Sequence, residues 1–322
     1  MTIAINLSLF IVSCAILLAS GSFFIEALTK IASFLKMSKF VVSFVIVGIA
    51  TSLPEFFVGI SSALAKQTSI SLGNVIGSNI ANLTIILGLS VILARGIKIE
   101  SKTTKKDALY MLLIAILPLI LMLIGRSLSR LDGFILIIIF ITYCTWLIRQ
   151  RKSFQKQESG NVGRLEIVLH AFLFIISAIL LQVSAKYTVK YASLLSIDLH
   201  LPQIFIGLFI IALGTSLPEL VVGFQAVKKK EEEVVLGNIM GSVVANSTLV
   251  LGITALITPI TANILIFLTS ISFMILAAFL FTTFTESGDK IYVKEGIAMI
   301  VVYIIFIIIQ FYIQNISGVA VA

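Results

Sequence analysis

Charge is scarce in this chain. Asp, Glu, Lys and Arg make up 12% of its 322 residues, about half the share of a soluble domain, while apolar residues make up 59%. Mean hydropathy is +1.15. Windows of about 20 residues run almost free of charge, as membrane helices require, which excludes an ordinary soluble fold. Cysteine is nearly absent as well. Cys14 and Cys144 both lie in apolar segments and support neither a disulfide framework nor a metal motif, so they say nothing about compartment. The patterns of an intramembrane enzyme are missing: no Ser/Lys pair, His-Glu-x-x-His or Asp dyad occurs. His170 and His200 have no partner pattern, and no pH-sensing role is expected of them. The first 20 residues lack a basic leading segment and a small-x-small cleavage site, so they read as a first span and not as a signal peptide. The net charge of +8 does not point to nucleic acid, because the basic residues sit in short loops between apolar runs.

Ten such runs are expected, at about 3–29, 40–65, 70–94, 107–125, 131–149, 165–189, 201–227, 232–257, 261–284 and 291–313. The longest connection, at 150–164, divides the chain into an N-terminal unit, 1–149, and a C-terminal unit, 165–322, of five spans each. It is too short to hold a large regulatory domain. With both termini outside, 18 of the 23 Lys and Arg fall on inward loops, and Lys66, Arg126, Arg130, Lys186 and Lys190 fall outward. That bias supports the ten-span reading and both termini outside.

The two halves share a sequence. Shifting residues 48–90 by 164 positions onto 212–254 matches 18 of 43 residues without a gap. Thr51/Thr215, Ser52/Ser216, Pro54/Pro218, Glu55/Glu219, Gly73/Gly237, Asn74/Asn238, Gly77/Gly241, Ser78/Ser242 and Asn82/Asn246 all coincide. Because each half has an odd number of spans, the repeats enter the membrane in opposite senses. This is the inverted-repeat plan of secondary transporters, which bind substrate near the midplane between repeats.

Each repeat places a glutamate within an apolar run, one residue after a proline: Thr51-Ser-Leu-Pro-Glu55 and Thr215-Ser-Leu-Pro-Glu219. One ionisable group near the bilayer centre costs about 2.5–3.5 kcal/mol even on the lenient insertion scale. Proline at 54 or 218 cannot donate to the carbonyl four residues back. The helix is therefore expected to break, freeing carbonyls around Gly48–Thr51 and Ala212–Thr215 as cation ligands beside two hydroxyls and a carboxylate. On the following helix Ser78 and Asn82, and likewise Ser242 and Asn246, stand four apart and share a face. Asn82 and Asn246 read as ligands, Asn74 and Asn238 as interhelical glue, and the glycines mostly as packing. The inventory is hard oxygen, suited to Ca²⁺ or an alkali cation and not to soft metals. Two carboxylates balance one Ca²⁺, two Na⁺ or two protons, and mutually exclusive loading of that kind is the chemistry of an exchanger. Glu26 reads as paired with Lys30 one turn on, and 228–233 as a solvated turn.

The repeated Gly/Ala-x-x-Thr-Ser-Leu-Pro-Glu with Gly-Asn-x-x-Gly-Ser resembles the α-repeats of the sodium/calcium exchanger family, of the cation/calcium exchanger superfamily. The resemblance implies an all-α integral membrane protein of ten helices that exchanges Na⁺ for Ca²⁺ by alternating access, with no cofactor. It implies that Glu55 and Glu219 bind Ca²⁺ with the backbone oxygens of Thr51 and Thr215. Na⁺ would use the same carboxylates with Ser52, Ser78, Thr215, Ser216, Ser242 and the carbonyls of Gly48 and Ala212. The first two spans of each half-pair would slide past this core. Asn246 stands where some relatives carry Asp, which holds the site at −2 and argues against K⁺ co-transport. Ala50 stands where the second repeat has Gly214, a possible change in backbone freedom at that break. Proton-coupled relatives usually carry Gly-Asn-x-x-Glu on the carboxylate helix, so Na⁺ coupling is favoured. A proton-coupled antiporter of Ca²⁺ or another divalent cation is the alternative, and a channel ranks below both. A prokaryotic plasma membrane is the expected home, with lipid, Ca²⁺ and Na⁺ as partners and no obligatory protein partner.

Overall fold

The computed structural model describes residues 2–34, 48–99, 102–150, 164–199, 201–228, 230, 232–261 and 264–317. Those residues are almost entirely helical. The helices are α1 (Thr2–Phe34), α2 (Gly48–Thr51), α3 (Leu53–Leu64), α4 (Thr68–Ala81), α5 (Leu87–Leu93), α6 (Lys102–Gly125), α7 (Arg130–Gln150) and α8 (Arg164–Asp198). They continue as α9 (Gln203–Ile206), α10 (Ala212–Thr215), α11 (Leu217–Lys228), α12 (Glu232–Ala245), α13 (Leu251–Ile257), α14 (Ile264–Ser287) and α15 (Val293–Ser317). Among the described residues nine helical stretches are long and apolar enough to cross a membrane. The span read at 40–65 is represented by α2 and α3; its residues 40–47 lie outside the described residues, as do 151–163 of the connection and His200. In the turn read at 228–233, residues 229 and 231 also lie outside them, while Lys230 takes φ 59°, matching φ 56° at Lys66, its counterpart in the first repeat.

The helices sort by their side chains into inner and outer layers. Most of Thr68–Leu93 and Val234–Ile257 is buried, whereas less than a quarter of the apolar window in each of Ile3–Phe24, Arg130–Leu147 and Val168–Asp198 is buried. The exposed faces carry large apolar residues such as Ile11, Leu131, Phe172 and Ile308, a surface that only lipid solvates without cost. α1 and α8 pack along each other, and their buried residues (Phe10, Leu17, Phe24, Leu181, Ala185) join a cluster distinct from the main core. That pair lies against α3, α9 and α10.

Close approach between the inner helices depends on glycine. A Cβ on Gly77 would lie 2.1 Å from the Leu208 carbonyl oxygen, and one on Gly73 would lie 2.2 Å from that of Ile204. No side chain fits there, so α4 meets α9 and the turn after it backbone to backbone.

Two features were not legible beforehand. Helices α4 and α12 each pass into a π turn, Asn82–Ile86 and Asn246–Val250, that begins at the repeat asparagine; a third spans Gly207–Ile211. Short bridges also tie the halves together. β1 (Ile97–Lys98) pairs antiparallel with β2 (Lys290–Ile291), and Leu128 exchanges two backbone hydrogen bonds of 3.0 Å with Ile260.

Candidate cation site

The proline breaks are smaller than the sequence suggests. The helix is interrupted at one residue in each repeat, Ser52 (φ −81°, ψ 4°) and Ser216 (φ −85°, ψ 3°), and resumes at Leu53 and Leu217. Proline occupies the second helical position after each break, where its missing N–H costs least. Ala50 and Gly214 both sit in helical backbone, so the change between them leaves the two breaks alike. The expectation that freed carbonyls wait for a ligand is corrected in part. The Gly48 carbonyl already lies within reach of the hydroxyls of Thr51 (3.3 Å), Ser52 (3.2 Å) and Ser242 (3.4 Å). The Ala212 carbonyl accepts from the Ser216 N–H (3.0 Å) and lies near the hydroxyls of Thr215 (3.3 Å) and Ser78 (3.4 Å). These hydroxyls have rotatable protons, so turning them away re-exposes oxygen without moving the backbone.

Around the breaks the two halves interlock. Ser78 donates to Glu55 Oε1 at 3.1 Å within its own half, and its hydroxyl lies 3.3 Å from Thr215 Oγ1 in the other. Ser242 donates to Glu219 Oε1 at 3.2 Å and lies 3.1 Å from Thr51 Oγ1. Thr215 also donates toward Asn74 Oδ1, and Thr51 toward Asn238 Oδ1, each at 3.1 Å. Asn74 and Asn238 thus act as the glue the sequence suggested, and the joints they make are between halves. Two crossed polar clusters result, each spanning both halves: Gly48, Thr51 and Ser52 with Ser242 and Glu219, and Ala212 and Thr215 with Ser78 and Glu55.

Both glutamates are fully buried, and no Lys, Arg or His pairs with either among the described residues. Hydroxyls donate to one oxygen of each carboxylate; Glu55 Oε2 and Glu219 Oε2 have no partner. The Ser216 hydroxyl and both polar atoms of Asn82 are likewise buried and unpartnered, as is Asn246 Oδ1. Native interiors leave few polar atoms unsatisfied, and these six all belong to the repeated motif. Two buried carboxylates without a protein cation need positive charge from a bound ion or from protons. Most of the unsatisfied atoms are hard oxygens, a donor set for Na⁺ or Ca²⁺. No trio of His, Cys, Asp or Glu gathers elsewhere among the described residues.

The repeat asparagines differ. Asn246 Nδ2 donates to Asn79 Oδ1 at 3.2 Å, and Asn79 Nδ2 donates to Ser247 Oγ at 2.9 Å. Asn82 has no such contact. Asn79 and Ser247 escaped the sequence reading; the available signal was a polar residue in one repeat against an apolar one in the other, Asn79 against Val243 and Ser247 against Leu83.

Residues 5–149 and 169–312 match the sodium/calcium exchanger protein family. The chain is 28% identical to the sodium/calcium exchanger MaX1 of Methanosarcina acetivorans, covering 97% of this chain and 100% of that one. It is 30% identical to the inner membrane protein YrbG of Escherichia coli over 75% of this chain and 76% of YrbG. Among solved structures, the sodium-calcium exchanger NCX_Mj, soaked with Na⁺ and Sr²⁺, superimposes with a TM-score of 0.68 at 29% identity, covering 95% of this chain and 98% of that one.

Proposed function

The chain belongs to the sodium/calcium exchanger protein family, and we propose that it exchanges Na⁺ for Ca²⁺ across a prokaryotic plasma membrane by alternating access. The observation that carries this is the pair of crossed clusters: two buried glutamates, each with one oxygen held by a serine and one left without a partner. Glu55 and Glu219 bind Ca²⁺ with the backbone oxygens of Thr51 and Thr215. The same carboxylates, with Ser52, Ser78, Thr215, Ser216, Ser242 and the carbonyls of Gly48 and Ala212, bind Na⁺. Asn82 and Asn246 complete the donor set. The bound ion is cargo, and the protein's part is to supply a charge of −2 that either ion neutralises but not both at once. That exclusivity is what couples the two fluxes.

The architecture proposed with it is ten spans in two inverted five-span units, 1–149 and 165–322, with both termini outside. The bridges between halves support this. The 164-residue shift carries Ile97 to 261 (97 + 164) and Ile291 to 127 (291 − 164), one residue from the Ile260 and Leu128 that pair at the other bridge. For access, α1 and α8 are well placed to move as a pair, since they pack on each other through a separate apolar cluster. A cavity of about 420 Å³ between the end of α3 and α8 is lined by Ser61, Gln67, Lys186, Lys190 and Ser193, with Ser61 six residues after Glu55. We assign it to the outward path.

The test is uptake of radiolabelled Ca²⁺ into liposomes holding the purified protein, under an outward Na⁺ gradient, an outward proton gradient, or neither. Na⁺-driven uptake that is lost in Glu55→Gln and Glu219→Gln supports the proposal. Uptake driven only by protons keeps the site and replaces the coupling ion. No uptake under any gradient refutes the exchange.

A further inference from the structure

The asymmetry between Asn82 and Asn246 has a physical consequence. An amide side chain offers a cation its oxygen and repels it with its NH₂ end, so which end faces the site decides whether the residue is a ligand. Asn246 lies four residues after Ser242, on the face of α12 from which Ser242 reaches Glu219 and the Gly48 carbonyl. Its Nδ2 is engaged by Asn79 Oδ1, and its Oδ1 is the one polar atom of that amide left without a partner.

The orientation of Asn79 is set in turn from behind. Its Nδ2 lies 2.9 Å from Ser247 Oγ and 3.6 Å from Met274 Sδ on α14. A thioether sulfur has no proton to give, so Asn79 must turn its NH₂ toward Met274 and Ser247 and its oxygen toward Asn246. Asn246 can then meet that oxygen only with its own NH₂. The relay from Met274 through Asn79 thus fixes Asn246 with its oxygen free. All three polar members, Asn79, Asn246 and Ser247, are buried, so water does not compete for these bonds. The second-half counterpart of Asn79 is Val243, which offers no amide, and Asn82, with both amide atoms unpartnered, is free to present either end.

We infer that Asn79 is a positioning residue that holds the Asn246 amide with its oxygen toward the bound cation, making Asn246 an oriented ligand and Asn82 an unoriented one. The inference rests on the cation-binding reading of the site above. Partners that orient a metal ligand typically carry about 10–100-fold of affinity, and the low end applies to a neutral ligand among several oxygens.

The experiment is Ca²⁺ titration of thermal stability in detergent, with Na⁺ titration beside it. Asn79→Val, which copies the residue at 243, is expected to weaken apparent Ca²⁺ affinity about tenfold. The rescue separates orientation from mere packing. Asn246→Asp has two equivalent oxygens and needs no orienting, so adding Asn79→Val to it is expected to weaken Ca²⁺ less than about twofold. Asn79→Asp keeps an acceptor for Asn246 Nδ2 and is expected to bind Ca²⁺ no more weakly than the parent, a readout that survives if the valine variant does not fold. Equal weakening by Asn79→Val in both backgrounds, or tenfold weakening by Asn79→Asp, overturns the inference while Glu55→Gln still tests the site. A parent protein that no cation stabilises overturns both the reading and the inference.

Discussion

The two halves of the site agree closely in one layer and part company in the next. Around the carboxylates the paired distances differ by 0.2 Å or less: serine to glutamate 3.1 and 3.2 Å, serine to the opposite threonine 3.3 and 3.1 Å, threonine to the opposite asparagine 3.1 Å in both. One turn further along α4 and α12 the match fails. Asn246 is anchored by Asn79, whereas Asn82 has no anchor and Val243 stands at the position matching Asn79. A second, smaller difference sits at the breaks themselves, where Ser52 donates to Gly48 while the Ser216 hydroxyl has no partner. The symmetric layer carries the charge and is where both halves must contribute equally. The asymmetric layer is neutral, and one binding point can use a difference there to give its ligands different tasks.

The largest test of this division falls on the carboxylates. Glu55→Gln and Glu219→Gln each halve the site's charge, and each is expected to lower Na⁺-driven Ca²⁺ uptake at least about 100-fold, since ligand charge count sets Ca²⁺ affinity over decades. One variant retaining near-parental uptake would break the symmetry at its centre. Gly77→Ala tests whether the halves can still meet. The new methyl collides with the Leu208 carbonyl 2.1 Å away, and overpacking of a backbone contact is expected to cost about 3 kcal/mol or more, read as a lowered melting temperature in detergent.

Smaller effects sharpen the comparison. Ser78→Ala and Ser242→Ala each remove a hydrogen bond to a carboxylate, worth about 1.5–3 kcal/mol, so each is expected to weaken apparent Ca²⁺ affinity by about 10- to 100-fold. The two values should agree within about threefold; a wider split in a side-by-side titration would show that one glutamate dominates. The smallest effect belongs to Gly214→Ala. Beyond its own stretch of helix no atom lies within 4 Å of the added methyl, and the first repeat already carries alanine there. Uptake should stay within about twofold, and alanine's better helix propensity, about 1 kcal/mol over glycine, should raise the melting temperature slightly.

Much of this was legible in the chain. The membrane class followed from the scarcity of charge, and the pairing of Glu55 with Glu219 followed from a 164-residue repeat. Helical spacing put Ser78 on a face with Asn82 and Ser242 on a face with Asn246, and the family resemblance set both serines beside the glutamates. The size of the proline breaks was misjudged, because a missing N–H says that a bond is lost but not how few residues the chain needs to recover. Helix resumes at the very next residue after Ser52 and Ser216. The π turns at Asn82 and Asn246 were invisible for a related reason: one extra residue per turn leaves the apolar pattern of so short a segment unchanged.

The sequence by itself determined the chemistry: which side chains carry charge, which carry hydroxyls, and that each set occurs twice on matching helical faces. Periodicity is a property of one helix, and it reports what lies on a face without saying what that face meets. Only the tertiary structure decided that each serine reaches its own glutamate and the other half's threonine, that Asn74 and Asn238 join the halves, and that Asn79 anchors Asn246 while Asn82 stands alone. Those outcomes depend on distances of about 3 Å between separate helices, set by how closely glycine lets their backbones approach, and no spacing along the chain encodes them.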